Sequence, residues 1–299
     1  YLLYGMADDT VLEFASRLRD GREVSELNGL CHAASGPKPG FLELPSWEAS
    51  AADPAVFETM FLDFERNQDP RTAKGLCQKQ DGRWIIHNPP ASPLSEAEMD
   101  EVHAMDFERA VHPRHLRDGE VRALETIRFS IPTHRGCYGG CHFCAIAVHE
   151  GRTVSCRSES SIIREAELLA SLPDFKGRIH DVGGPTANMY GFECRKKISR
   201  GACPDRGCLF PDVCEHLRPD HGRQIGLLRK LRAIPGVKQA TVASGIRYDL
   251  ILADRKHGIP YLREVVRSHV SGQMKVAPEH SEEKVLRCMG KPGTAPLLA

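Results

Sequence analysis

"TIRFSIPTHRGCYGGCHFC", Thr126 to Cys144, runs from an alternating apolar stretch straight into three cysteines spaced C-x3-C-x2-C. Ile127, Phe129 and Ile131 alternate with polar residues, the period of a half-buried β-strand. Gly139 and Gly140 let the loop after that strand curl, so Cys137, Cys141 and Cys144 can turn toward a single point. Three thiolates select zinc or an iron–sulfur cluster. A structural zinc needs a fourth ligand, for which His134 or His142 is at hand. A [4Fe–4S] cluster held by three cysteines keeps one iron open to a substrate or cofactor. The single compact loop favours the cluster, because zinc knuckles usually present their ligands as two short pairs.

Further along the chain the same alternation of strand and helix continues. "RIHDVGG", "QATVASG" and "QMKVAP" read as three more short strands. Between and after them, "SSIIREAELLASL", "GRQIGLLRKLRAI", "YLREVVRSHV" and "SEEKVLRCM" read as helices. Four β-α units in succession imply an α/β fold with a parallel sheet, a barrel or a doubly wound fold, and in either one chemistry collects at the carboxyl ends of the strands. The cysteine loop follows the first of these strands.

The bulk properties fit a folded metalloprotein. The chain has 299 residues, 41% hydrophobic and 27% charged, enough to bury a sizeable core. Forty basic and forty acidic residues cancel, so net charge gives no support for a general nucleic-acid or membrane-surface binder. No apolar run reaches the ~18 residues of a membrane span. Eleven cysteines, odd in number and clustered near histidines, favour metal ligation over disulfides and a cytoplasmic location. The chain begins at Tyr1, and it reads as a fragment of a longer protein.

Residues 1–22 ("YLLYGMA", then an amphipathic helix with Val11, Leu12, Phe14, Ala15 and Leu18) read as the end of an α/β, Rossmann-like domain. Residues 23–125 read as an irregular linking or wrapping region. Within it, "CQKQDGRWIIHN" predicts a hairpin turning at Asp81-Gly82. Ser95 and Glu98 stand at capping-box spacing after a proline-rich stop. Residues 126–299 form the core, with a cysteine-rich insertion at 190–216.

The quoted stretches together resemble a known family. C-x3-C-x2-C after the first strand of a β/α series is similar to the radical S-adenosylmethionine (SAM) superfamily. "HRGCYGGCHFCAIAVHEGR", "RSESSIIREAE", "DVGGPTANMYG" and "VAPEHSEEKVLRCMGKP" resemble its uncharacterised YgiQ-like members, over roughly residues 126–292. The resemblance implies a partial (β/α) barrel, since such barrels usually have six strands and four are visible. It implies a [4Fe–4S] cluster on Cys137, Cys141 and Cys144, and SAM as cofactor. It implies reductive cleavage of SAM to a 5′-deoxyadenosyl radical that abstracts hydrogen from an unknown substrate. A flavodoxin- or ferredoxin-like reductant would supply the electron. Phe143 would lie beside the adenine, and Gly183 and Gly184 would contact SAM's amino group. Many members have Glu next; here Pro185 stands in that place, and Thr186 is the candidate substitute. Ser244 and Arg247 follow the third strand and would reach the ribose or carboxylate. Lys275, Glu279 and His280, near the fourth, are weaker candidates. Residues 1–22 resemble the end of a cobalamin-binding domain, which would bring cobalamin and radical methylation.

A second group, Cys194, Cys203, Cys208 and Cys214 with His216 nearby, lies in a Pro/Gly/Arg loop. It is a possible second iron–sulfur cluster or a zinc site, because such a loop has too little apolar content to fold unaided. The adjoining Arg195, Lys196, Lys197, Arg200 and Arg206 make contact with RNA conceivable but not indicated. Cys31, Cys77, Cys156 and Cys288 read as buried small hydrophobes. The competing function is a zinc-stabilised nucleic-acid-binding or scaffold protein without radical chemistry.

Overall fold

A computed structural model describes residues 1–298, and it divides into two compact units. The first unit contains residues 1–94, 144–153 and 195–206; the second contains 95–143, 154–194 and 207–299.

The first unit is built on a five-stranded sheet. Strand β1 (Leu2–Leu3) leads into helix α1 (Asp8–Arg19), followed by β2 (Leu30–Ala34) and β3 (Leu42–Leu44). Helices α2 (Trp47–Ala52) and α3 (Pro54–Arg66) precede β4 (Leu76–Gln80) and β5 (Arg83–His87). The spatial order is β1-β2-β5-β4-β3, antiparallel except for β3 beside β4. This corrects the expected irregular region at 23–125. The strands are short, and their partners lie up to dozens of residues away, so no local run announces them. The expected separation at residue 22 also dissolves, because β1 pairs with β2. The hairpin is where the sequence puts it. Gln80 pairs with Arg83, and Asp81 and Gly82 take φ of 46° and 77°, the left-handed pair that a two-residue turn needs.

The second unit opens on helix α4 (Glu96–His103), whose capping box closes in both directions. The Ser95 amide donates to Glu98 Oε2 at 2.6 Å and the Glu98 amide to Ser95 Oγ at 3.3 Å. The strands are β6 (Ile131–Pro132), β7 (His134–Arg135), β8 (Ser155–Cys156), β9 (Arg178–Ile179), β10 (Val182–Gly183) and β11 (Gln239–Ala240). The pairs β6–β10 and β9–β11 are parallel, and Ile246 and Val276 form a further parallel bridge. Backbone bonds from the Ile131 amide to the Asp181 carbonyl (2.8 Å) and from Val182 to Thr241 (2.8 Å) set the first three strand segments side by side. The unit is therefore mixed α/β with parallel strands. Helices at Glu159–Ser171, Gly222–Ala233 and Gly258–Ser268 cover them, and that at Glu283–Cys288 follows the fourth strand segment, as the sequence predicts. Ile162, Leu169, Leu227, Leu228, Leu231 and Val265 pack on Ile131, Ile179, Val182 and Val242.

The first of these strands is shorter than its alternation suggests. Ala123–Ile127 is a helical turn, Ile127 is exposed, and the strand begins only at Ile131. A five-residue helix and a five-residue strand both accommodate an apolar residue at every second or third position, so the pattern alone could not separate them.

Candidate functional site

The cysteine loop leaves the short β6–β7 segment at the carboxyl end of the parallel pair, beside Gly183 and Gly184 at the end of β10. Tyr138 anchors it. Its ring is buried against Phe192 (centroids 5.5 Å apart), and its hydroxyl donates to the Phe192 carbonyl. This fixes the backbone between Cys137 and Cys141 and leaves their thiols half-buried.

Gly139 is the pivot. A Cβ placed there would lie 3.4 Å from Cys137 Sγ, 3.5 Å from Cys141 Sγ and 3.5 Å from Arg247 Nη1. Two thiols and one guanidinium thus converge over a residue with no side chain. The Gly139 amide donates to Cys137 Sγ at 3.4 Å, Thr186 Oγ1 stands 3.5 Å from the same sulfur, and Arg247 Nη1 donates to Cys141 Sγ at 3.9 Å. No disulfide forms. Cys144 opens the short stretch counted with the first unit, and Phe143 beside it is exposed.

Gly183 and Gly184 are glycines for want of room. A Cβ on Gly183 would meet Ser244 at 3.1 Å, and one on Gly184 would meet His134 Nε2 at 2.7 Å and the His134 carbonyl at 2.8 Å. Ser244 does not point outward. Its hydroxyl donates to Asp181, whose other carboxylate oxygen accepts the Ala243 and Ser244 amides at 2.8 and 3.1 Å. Asp181 thereby ties the loop after β11 to the segment between β9 and β10, a role the sequence reading missed.

Arg247 is also held differently from expectation. Its guanidinium is buried and clamped by Asp249, with Nε to Oδ1 at 2.9 Å and Nη2 to Oδ2 at 2.5 Å. Burial opposes the charge, but Asp249 and the nearby thiols outweigh it and raise the guanidinium pKa further. Behind it stands Asn188, fully buried and bonded to the Arg247 backbone. The Asn188 Nδ2 group also meets His221 Nε2 at 3.1 Å, and His221 Nδ1 meets Asp254 Oδ2 at 2.8 Å. Since the carboxylate accepts, the proton of His221 sits on Nδ1 and Nε2 accepts from Asn188. Burial lowers the pKa of His221 against the pull of Asp254.

His134 is not a metal ligand in waiting. It is fully buried; Nε2 donates to the Thr186 carbonyl at 3.0 Å, and Nδ1 faces Thr133 Oγ1 at 2.8 Å. Burial pushes its pKa down to about 4. His142 Nδ1 contacts the Cys288 carbonyl at 2.9 Å. Among the described residues, one group of three His, Cys, Asp or Glu side chains brings its ligand atoms within 4.8 Å of one another, and it is Asp220, Asp254 and His257. Tetrahedral zinc at ~2.3 Å per thiolate requires a gathering that tight. Neither cysteine group provides it.

The second cysteine group is dispersed in role. Cys194 is buried and Cys208 half-buried against Tyr138, Met189, Leu209, Leu217 and Leu250. This corrects the expectation of an insertion without a core. The Cys214 amide bonds to the Cys208 carbonyl at 2.9 Å. Cys203 belongs to the first unit, where it lines a cavity of about 210 Å³ with Tyr4, Asp69 and Arg152. In the adjoining basic run, Lys197 is buried and donates to the Arg152 carbonyl at 2.5 Å, so the run is not one solvated phosphate-binding face. Cys77 is buried as expected, whereas Cys288 is exposed and Cys31 and Cys156 are intermediate. Near the fourth strand segment, Lys275 lends its carbonyl to the Ile246 amide (2.9 Å), and His280 Nδ1 accepts the Glu282 amide (2.9 Å). Glu279 accepts from Lys291 at 3.0 Å; that buried lysine, overlooked in the sequence, also donates to the Ala277 carbonyl at 2.5 Å.

Comparison with known proteins gives these features a family. Residues 1–130 match the family described as Radical SAM N-terminal. A UPF0313 protein of Fusobacterium nucleatum is 52% identical over 292 residues, covering 98% of this chain and 51% of that protein. UPF0313 proteins of Methanocella arvoryzae and Clostridium perfringens are 43% and 40% identical, each over 97% of this chain and 48% and 45% of their own lengths. The chain belongs to the UPF0313 (YgiQ-like) family of the radical SAM superfamily. It spans about half the length of the curated relatives it matches. The match at residues 1–130 covers β1 through the first unit's sheet without a break at residue 22, in keeping with the pairing of β1 and β2. Among solved structures, the radical S-adenosylmethionine methyltransferase TsrM from Kitasatospora setae, with cobalamin and a [4Fe–4S] cluster bound, is similar at 19% identity and a TM-score of 0.33, over 89% of this chain and 42% of that one. Among the described residues, no helix is long and apolar enough to cross a membrane.

Proposed function

We propose that the chain is the cluster- and SAM-binding part of a radical SAM enzyme, with Cys137, Cys141 and Cys144 as cluster ligands. The observation that carries the reading is the convergence of the Cys137 and Cys141 sulfurs over Gly139 at the carboxyl end of the parallel strands. The donor set fits a cluster: soft thiolates, no disulfide, a side-chain-free pivot and nearby N–H donors. When bound, a [4Fe–4S] cluster with an open iron supplies one-electron reduction of SAM.

This chain's own residues have simpler tasks. Thr186 and the Gly139 amide contact Cys137, Arg247 contacts Cys141, and Tyr138 holds the loop's backbone. Ser244 and His134 fill the space where side chains of Gly183 and Gly184 would stand, so what these two residues would offer SAM's amino acid end is their backbone groups after β10. Phe143, exposed next to the loop, is available to an aromatic base. The parallel strands would form the first part of a (β/α) barrel, and a flavodoxin- or ferredoxin-like reductant follows from the chemistry. The substrate is open.

The test is anaerobic reconstitution of the longer protein with iron and sulfide, followed by chromatography of SAM products after reduction. Formation of 5′-deoxyadenosine that disappears with Cys137→Ala, Cys141→Ala or Cys144→Ala is expected. Wild-type iron in all three variants, or stoichiometric zinc without iron, would sink the reading in favour of the zinc-stabilised scaffold.

A further inference from the structure

We infer that Arg247 acts on the cysteine loop itself, as a buried cation that raises the reduction potential of whatever cluster Cys137 and Cys141 hold, rather than as a ligand to SAM. The inference rests on the cluster assignment above. Its grounds are geometric. Arg247 Nη1 donates to Cys141 Sγ and lies 3.5 Å from the point over Gly139 where both sulfurs converge. Its Nε and Nη2 are already engaged by Asp249 at 2.9 and 2.5 Å, which takes up the side-on bidentate face of the guanidinium. What remains is the edge turned toward sulfur.

Three supports keep that edge in place. Asp249 orients the guanidinium plane, Asn188 pins the peptide groups on both sides of the Arg247 Cα, and burial denies the cation any other partner in solvent. A side chain serving only the fold would not need its one uncommitted nitrogen aimed at a thiol. A cation and an N–H···S bond both favour the more negatively charged, reduced state of a cluster, and such contacts are among the main determinants of cluster potential. Asp249 partly neutralises the cation, so the two residues form a balance: Arg247 raises the potential and Asp249 holds the rise in check. At the low dielectric of a buried site neither charge is screened away.

The opposing signs make the test. In the reconstituted full-length protein, without SAM, the midpoint potential is read by redox titration of the reduced cluster's electron paramagnetic resonance signal. Arg247→Gln should disfavour reduction by about tenfold, ~59 mV downward for one electron. Asp249→Asn, with Arg247 kept, should shift it upward. A structural lesion would move both variants in the same direction. If Arg247→Gln fails to hold a cluster, the Asp249→Asn shift decides alone: upward supports the inference, and unchanged or downward overturns it. An unchanged potential in Arg247→Gln together with weakened SAM binding also overturns it and returns Arg247 to the cofactor. A wild-type protein with no reducible cluster would instead defeat the cluster assignment, a result distinguishable from all of these.

Discussion

Asn188 and Arg247 hold each other through two reciprocal hydrogen bonds: Asn188 Nδ2 donates to the Arg247 carbonyl at 2.9 Å, and the Arg247 amide donates to Asn188 Oδ1 at 2.8 Å. With its second N–H on His221, this buried amide has every donor used. Asn188→Ala would leave a buried amide and a buried carbonyl unpaired, and it should cost about 2–4 kcal/mol. Urea midpoints at unchanged slope measure it; a loss under 1 kcal/mol would mean that water takes over the bonds.

Two glycines should respond with opposite signs. Gly184→Ala would drive a methyl group into the His134 ring and its fixed carbonyl, and it should destabilise by about 1–3 kcal/mol. Gly226 lies inside the helix Gly222–Ala233 with nothing within 4 Å of an added Cβ. Gly226→Ala should therefore stabilise by about 0.5–1 kcal/mol. Thermal melts of the pair check both, and equal effects would refute the steric account.

His134 should make stability fall in mild acid. Its folded pKa is pushed from 6.5 to about 4 by burial, the Thr186 carbonyl opposing weakly. The unfolded state therefore takes up the proton first. The contribution, on the order of 3 kcal/mol, is present above about pH 6.5 and lost progressively as pH falls toward 4. His221 and His269, also lowered by burial, act in the same direction. Denaturation midpoints should fall with acid across that range, and His134→Gln should remove part of that fall.

The four cysteines of the second group should separate by position. Cys194→Ser places a hydroxyl in an apolar cluster and should cost about 1–3 kcal/mol without removing the iron proposed for Cys137, Cys141 and Cys144. Cys203→Ser, at a half-buried cavity wall, should be within 0.5 kcal/mol of wild type. Joint loss of iron in both variants would show instead that these thiols ligate a metal.

The features legible in the sequence are the local ones. The Asp81-Gly82 turn, the Ser95–Glu98 box and the four later helices each depend on neighbours within a few residues, and the sequence states those directly. The five-stranded sheet depends on pairings such as Cys31 with His87, which a linear reading cannot see. The site divides in the same way. Cys137 and Cys141 announce themselves by spacing, while Asp181, Asn188 and Lys291 matter only because distant backbone groups come to rest beside them. The hydrogen-bond partners of Ser244 and Arg247 were not legible in the sequence, since the acids that bind them, Asp181 and Asp249, had no signature of their own.

The chain's path through its two units bears on how the protein is made. The strands of the first unit are complete by His87, yet two of its segments, 144–153 and 195–206, are encoded far downstream. The first of them supplies Arg152, which pairs with Glu65, and the second supplies the Ala202 amide that binds Asp69 at 2.8 Å. At about 5–20 residues per second, a ribosome that has finished the sheet needs on the order of ten seconds more to deliver the last of them. During that interval Glu65 and Asp69 lack these two partners. Translation speed through the second unit's early strands thus sets how long the first unit stays unfinished, and synonymous codon changes there would act on the folding of residues they do not encode.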